Sequence, residues 1–387
     1  MSSHETIDAV LHRAVEEGVA PGIAAGAADR DGNFYEGAFG LRSAAGGAAM
    51  SFDSVFRIFS MTKALASIAA AQLMEQGLLD IDKAVEAYAP AFGALQVLEG
   101  FDGDTPRLRA PKRKATVRQL MTHTAGLAYQ FWNPDTAKYL EVTGNPGFLS
   151  GTKNGINYPL TFDPGDRWHY GINTDWLGQV IEGVTGKTLR DVCREQLFKP
   201  LGMADTDFEC EGSARERLVA VHARGAEGGM SVIALDPPSH PEVYSGGFGL
   251  YSTVRDYLRF LRAMLGNGEL DGVRILKPET LEIVLANHIG NLPIKKLLTV
   301  MPGVSSDAEF FSGHAKIHGL AFMSNTEQIP GTLAPGSQFW AGALNTYFWF
   351  DPASDLAGVI MMQFLPFADE RALDTLGEFQ NAVYASR

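Results

Sequence analysis

Apolar and polar positions along this chain follow two periods, and the switch between them marks the elements. From His4 to Gly18 the apolar residues recur at helical spacing and stop at a glycine, which predicts an amphipathic helix. GIAAGAADRDGNFYEGAFGLR then reads as two extended runs around Asp31-Gly32, a short-range hairpin signal. The far end mirrors it. NTYFWFDPASDLAGVIMMQF predicts a strand, a turn at Asp351-Pro352 and a very apolar strand from Leu356 to Phe364, followed by a helix from about Ala368 to Tyr384. Between the two ends the pattern is mainly helix and loop. The economical arrangement is an α+β fold: an antiparallel sheet built from 1–81 and 302–387, flanked by helices, with a mainly helical lobe over 82–301 and the site in the cleft between them. Pro/Gly-rich stretches at Asn145–Gly151, Asp236–Gly249 and Gln328–Gly336 read as loops bordering that cleft.

One window breaks the amphipathic rule. From Met61 to Met74 the sequence is helical and almost without charge, except for Lys63, three residues after Ser60. Ser60 stands where an N-cap residue would, and the bland account is a capping serine and a lysine that snorkels to water. The chemical account starts from spacing. Residues three apart share a helix face, so the hydroxyl and the amine can meet. The flanking Ala64, Leu65, Ala66 and Ile68 offer no carboxylate, and burial drives a lysine toward its neutral form. A neutral amine beside a hydroxyl takes its proton and makes the serine a nucleophile. The helix start also supplies backbone N–H groups, the Ser60 amide among them, where an oxyanion would develop.

A nucleophile of this kind needs a second proton carrier and a second oxyanion donor. In DPGDRWHYGINTDWLGQVIEGVTG, Asp163-Pro164-Gly165 turns the chain, Asp175 to Val184 is helical, and Tyr170 falls in the loop between. A tyrosine there passes a proton to a leaving group if cations lower its pKa; otherwise it is a packing aromatic. His169 borders it and is placed to tune it. Trp340-Ala341-Gly342 opens a strand in which Gly342 would let a ligand approach the backbone, and the following amide, on Ala343, is the candidate second donor. Tyr129, Phe131, Trp132, Tyr244, Phe310 and Phe311 are aromatics in candidate cleft loops.

Composition narrows the class. The chain has 387 residues, 45% apolar and 20% charged, with a formal charge of −13, which argues against a nucleic-acid footprint and against adsorption to anionic membranes. Two cysteines, Cys193 and Cys210, are too few to staple a chain of this size and are expected as thiols. The first residues, MSSHETIDAVLHRAVEEG, carry acids and lack a basic n-region and an apolar h-region, and no long uncharged window reads as a membrane span, so a cytoplasmic setting is expected.

Ser60-Met61-Thr62-Lys63 matches the S-x-x-K of serine β-lactamases and penicillin-binding proteins. TVRQLMTHTAGL (116–127), LFKPLGMADTDF (197–208) and SGGFGLYSTVRDYLRFLRAML (245–265) extend the match, in order, over the whole chain. The sequence resembles the branch with class C β-lactamases, D-Ala-D-Ala peptidases and the family VIII carboxylesterases. The resemblance implies a β-lactamase-like fold, Ser60 as nucleophile, Lys63 as its base, Tyr170 as general acid/base, an acyl-serine intermediate, and no metal or organic cofactor. Two motifs depart from the family. Its Y-x-N becomes Tyr170-Gly171-Ile172, with Asn173 one step late, and its Lys-Thr-Gly becomes Trp340-Ala341-Gly342, which looks like the W-x-G of esterase and acyltransferase members. An indole offers no charge to the carboxylate of a penicillin, which favours small-molecule carboxylic esters over β-lactams.

Other readings fare worse. No serine has glycines at both −2 and +2, so the nucleophile elbow of an α/β-hydrolase is missing. His314 and His318 are four apart but lack the Glu of H-E-x-x-H, and read as loop or strand histidines, just as His123 reads as a loop-holding one. A catalytically silent penicillin-binding-type sensor would have lost serine, lysine or tyrosine, and all three are present. β-Lactam hydrolysis, peptidase or amidase activity and acyl transfer remain the enzymatic alternatives.

Overall fold

The strands expected at the two chain ends pair with each other. The computed structural model describes residues 3–387. Its main sheet holds β1 (Gly22–Ala28), β2 (Asn33–Gly40), β3 (Lys316–His318), β4 (Met323–Asn325), β5 (Gln338–Gly342), β6 (Thr346–Asp351) and β7 (Leu356–Met361). Their spatial order is β3-β4-β5-β6-β7-β1-β2, and every neighbouring pair is antiparallel. The two ends of the chain meet where Ala25 of β1 stands opposite Ile360 of β7.

Five helices matter for the site: α1 (Ser3–Glu16), α2 (Thr62–Glu75), α3 (Asn173–Thr185), α4 (Val254–Leu265) and α5 (Glu370–Ala385). Side-chain alternation in β6 shows how the sheet is covered. Phe348 turns to one face and meets Tyr257 of α4 at 5.0 Å between ring centroids. Trp349, the next residue, turns to the other face and meets Phe379 of α5 at 5.5 Å. There α1 packs against α5. The small residues of β1, all buried, let α4 come close: a Cβ on Gly26 would lie 2.7 Å from Leu258. α2 is buried from Thr62 to Leu73, as a helix apolar on all sides must be, and packs against α3. It stops at Gly77, whose φ of +72° few other residues adopt cheaply.

Several boundaries differ from the sequence reading. The last strand ends at Met361 rather than Phe364; Phe364–Leu365 pairs in parallel with His222–Ala223 instead. The segment 82–301 contains a hairpin, Val97–Asp102 with Thr105–Arg109, and it supplies α4, which lies on the sheet. The Gln328–Gly336 loop does not line the central cavity. It folds back on Asn325, whose Nδ2 donates to the carbonyls of Glu327 (2.7 Å) and Ala334 (3.0 Å).

Candidate active site

Ser60 is not a helix cap. It sits in a 3-10 turn, Phe59–Met61, that runs into α2, and no side chain caps that junction. Phe59 is held at φ +42°, a costly conformation for a bulky residue that persists because neighbours fix the turn. Ile58 N–H donates to Leu250 O at 3.1 Å, Tyr257 O–H of α4 donates to Met61 O at 2.9 Å, and Thr62 Oγ1 accepts from Leu250 N–H at 3.1 Å. β5 presses against the same turn. A Cβ on Gly342 would fall 2.2 Å from Ile58 O, so this glycine admits the Ser60 turn and leaves no room for a ligand, contrary to the sequence reading.

Lys63 is 2% exposed. Its Nζ lies 3.1 Å from Ser60 Oγ, 2.9 Å from Tyr129 Oη and 2.6 Å from the carbonyl oxygen of Gly247. A neutral amine has two N–H donors and one lone pair. The Gly247 carbonyl can only accept, and Tyr129 Oη accepts a second N–H, which leaves the lone pair facing the Ser60 hydroxyl. Burial pushes the lysine pKa down, opposed in part by the negative charge of Asp175. Asp175 is itself buried in the first turn of α3, and its carboxyl is pushed up by desolvation.

The Tyr170 hydroxyl lies within electrostatic reach of Ser60 and accepts a hydrogen bond from Trp340 Nε1–H at 3.3 Å. The sequence makes a proton-carrying role for Tyr170 conditional on cations that lower its pKa. Burial instead raises it, outweighing the opposing influence of Ser60 and Trp340, so the phenol stays protonated and can donate. His169 does not tune it. The imidazole against Tyr170 is that of His123, 4.8 Å between centroids, while His169 donates its backbone N–H to His123 O and its Nε2 is buried without a partner. Asn173 points its Nδ2 at His123 Nδ1, 3.1 Å away. His318 ends β3, with Nδ1 2.6 Å from Gly319 O, and His314 lies 3.6 Å from Glu327, so neither is on a helix.

Ser60 opens into a cavity of about 260 Å³ whose lining includes Tyr129, Phe131, Trp132, Tyr170, Phe310, Trp340, Ala341 and Ala343. Phe59, Phe148, Phe248 and Phe367 add further aromatic surface, and among the described residues no charged side chain lines it. Two expected members are elsewhere. Tyr244 donates its hydroxyl to Glu209 at 2.9 Å beside a separate small pocket, because the loop carrying it turns toward Phe208. Phe311 packs on Phe339 at 5.5 Å.

The sequence model described as Beta-lactamase matches residues 7–382. The chain belongs to the Beta-lactamase family. Lovastatin esterase of Penicillium rubens is 30% identical to it, over 98% of each chain. Monacolin J acid methylbutanoyltransferase of Aspergillus terreus is 29% identical, over 98% of this chain and 95% of that one. The unliganded structure of simvastatin synthase from Aspergillus terreus superposes with a TM-score of 0.83 at 27% identity, covering 100% of this chain and 98% of that chain. Serine hydrolases and acyltransferases thus share this branch of the Beta-lactamase family. No helix among the described residues is long and apolar enough to cross a membrane.

Within this Beta-lactamase frame, the residues that sequence reasoning missed are those that hold Lys63 from outside its helix. Asp175 reads from sequence only as a helix start, Gly247 as one glycine of SGGFGL, and Tyr129 as a pocket aromatic. Their common signal is the unpaired lysine itself: a buried amine needs acceptors, and the segment that carries it supplies only Ser60, from the turn before α2.

Proposed function

We propose that this protein is a serine esterase that cleaves neutral carboxylic esters with apolar groups through an acyl-Ser60 intermediate. The observation that carries the reading is a buried amine 3.1 Å from a serine hydroxyl that opens on an uncharged, aromatic cavity. Lys63 takes the Ser60 proton as Oγ bonds to the ester carbonyl carbon, and the carbonyl π pair moves to oxygen. The amides of Ser60 and Ala343 are the donors for that oxyanion. Collapse expels the alkoxide, and the proton held by Lys63 returns to it through the Tyr170 hydroxyl. Water then repeats the sequence on the acyl-serine.

Acyl transfer is the second reading. It is supported by the resemblance to a methylbutanoyltransferase and by a cavity whose apolar walls favour an alcohol over water as acceptor. Both readings share the acyl-enzyme and differ in what removes the acyl group. A cytoplasmic setting is part of the proposal, in keeping with Cys193 and Cys210 as free thiols.

The test is a panel of p-nitrophenyl esters from acetyl to dodecanoyl, assayed with and without an added alcohol, with Ser60→Ala as control. Turnover by the wild type and its loss in the variant are expected. Activity of Ser60→Ala within about tenfold of wild type refutes the mechanism. Failure of a fluorophosphonate to label Ser60 would favour a silent sensor of the same fold.

A further inference from the structure

The contacts of Lys63 lead outward to a group that takes no part in the bond-making steps above. Asp175, fully buried, accepts a hydrogen bond from the Ser245 hydroxyl. Ser245 Oγ in turn accepts the backbone N–H of Gly247 at 3.0 Å and of Phe248 at 3.1 Å, which uses all its capacity. The Gly247 carbonyl, fixed in this way, is the oxygen 2.6 Å from Lys63 Nζ. The second carboxylate oxygen, Oδ2, has no hydrogen-bond partner and lies against the same loop, where a Cβ on Gly247 would come within 2.3 Å of it. A buried carboxylate oxygen left without a donor is costly unless a positive charge compensates it.

We propose that Asp175 is a positioning residue for Lys63: through Ser245 it sets the Gly247 carbonyl against the amine, and it is the counter-charge for the ammonium that forms when Ser60 gives up its proton. The inference rests on the Ser60–Lys63 reading of ester cleavage. Between them the two groups face Ser60, Ser245, the hydroxyls of Tyr129, Tyr158 and Tyr170, and the imidazole of His123. Burial keeps the tyrosines and His123 neutral, so Asp175 is the negative charge that acts on Lys63. The sign follows. The carboxylate favours the protonated amine, so removing its charge lets Lys63 lose its proton at lower pH.

Two variants separate charge from tether. Asp175→Asn keeps the shape and removes the charge; the acid limb of kcat/KM for p-nitrophenyl butyrate should move down by at least about half a pH unit, since a lost charge partner shifts a pKa by that order or more. Ser245→Ala keeps the charge and frees the loop; kcat should fall at least about tenfold, with KM within about threefold and the acid limb not moved down. If Asp175→Asn does not fold, the KM-against-kcat split of Ser245→Ala decides alone. Variants with a wild-type pH profile and kcat within about twofold overturn the inference. Wild-type protein that neither turns over the ester nor labels at Ser60 overturns the esterase reading itself, and this inference with it.

Discussion

In the proposed mechanism Lys63 has to be neutral to accept a proton and charged to return it, and its surroundings keep both states within reach. Desolvation lowers its pKa, while Asp175 limits the fall. The activity should therefore rise with pH through an inflection well below the ordinary lysine value of about 10.4, because only the deprotonated amine is a base. It should stay level to about pH 10, since burial moves the ionisation of Tyr170 above its usual value. A kcat/KM profile for a neutral ester measures both, and an inflection near the ordinary lysine value would remove Lys63 as the base. Lys63→Met, close in length and without a lone pair on nitrogen, should lose about 10²–10⁴-fold in kcat while the protein still melts cooperatively.

At the scale of elements, the site depends on how closely β5 approaches the turn that carries Ser60. Gly342 sets that distance, since any side chain there meets the Ile58 carbonyl. Gly342→Ala should destabilise the fold by about 1–3 kcal/mol through overpacking, read as a lower denaturation midpoint. It should also reduce kcat/KM, although Gly342 does not line the cavity, because Ala343, the residue that follows β5, is carried away from Ser60. A variant with unchanged activity and stability would show that β5 can yield without cost. The strained Phe59 belongs to the same junction. Its φ of +42° is held between α4, through Tyr257, and the Leu250 backbone.

For the whole molecule, the decisive property is an uncharged cavity in a chain of formal charge −13. An anionic substrate entering it loses hydration and meets no cation in the lining; a missing charge-assisted contact is worth about 1.5–3 kcal/mol. At about 1.4 kcal/mol per factor of ten, nitrocefin should be turned over at least about tenfold less efficiently than p-nitrophenyl butyrate. Comparable kcat/KM values for the two would mean that the carboxylate is met by a cation the cavity lining does not contain.

Local rules made much of this legible in the chain alone. Extended apolar runs around Asp31-Gly32 and Asp351-Pro352 determined the two hairpins, and a helix without a polar face had to be buried. The Ser60–Lys63 meeting is equally local, because residues three apart share a helix face. What only the tertiary structure decided is everything that reaches those residues from far along the chain. Gly342 meets a carbonyl from a distant turn, His123 rather than the adjacent His169 lies on Tyr170, and Asp175 is linked by hydrogen bonds through Ser245 and Gly247 to Lys63. Periodicity tells which face of an element is apolar; it does not tell which element that face will meet. Burial, the quantity that moves the pKa values of Lys63 and Tyr170, exists only once the elements have packed.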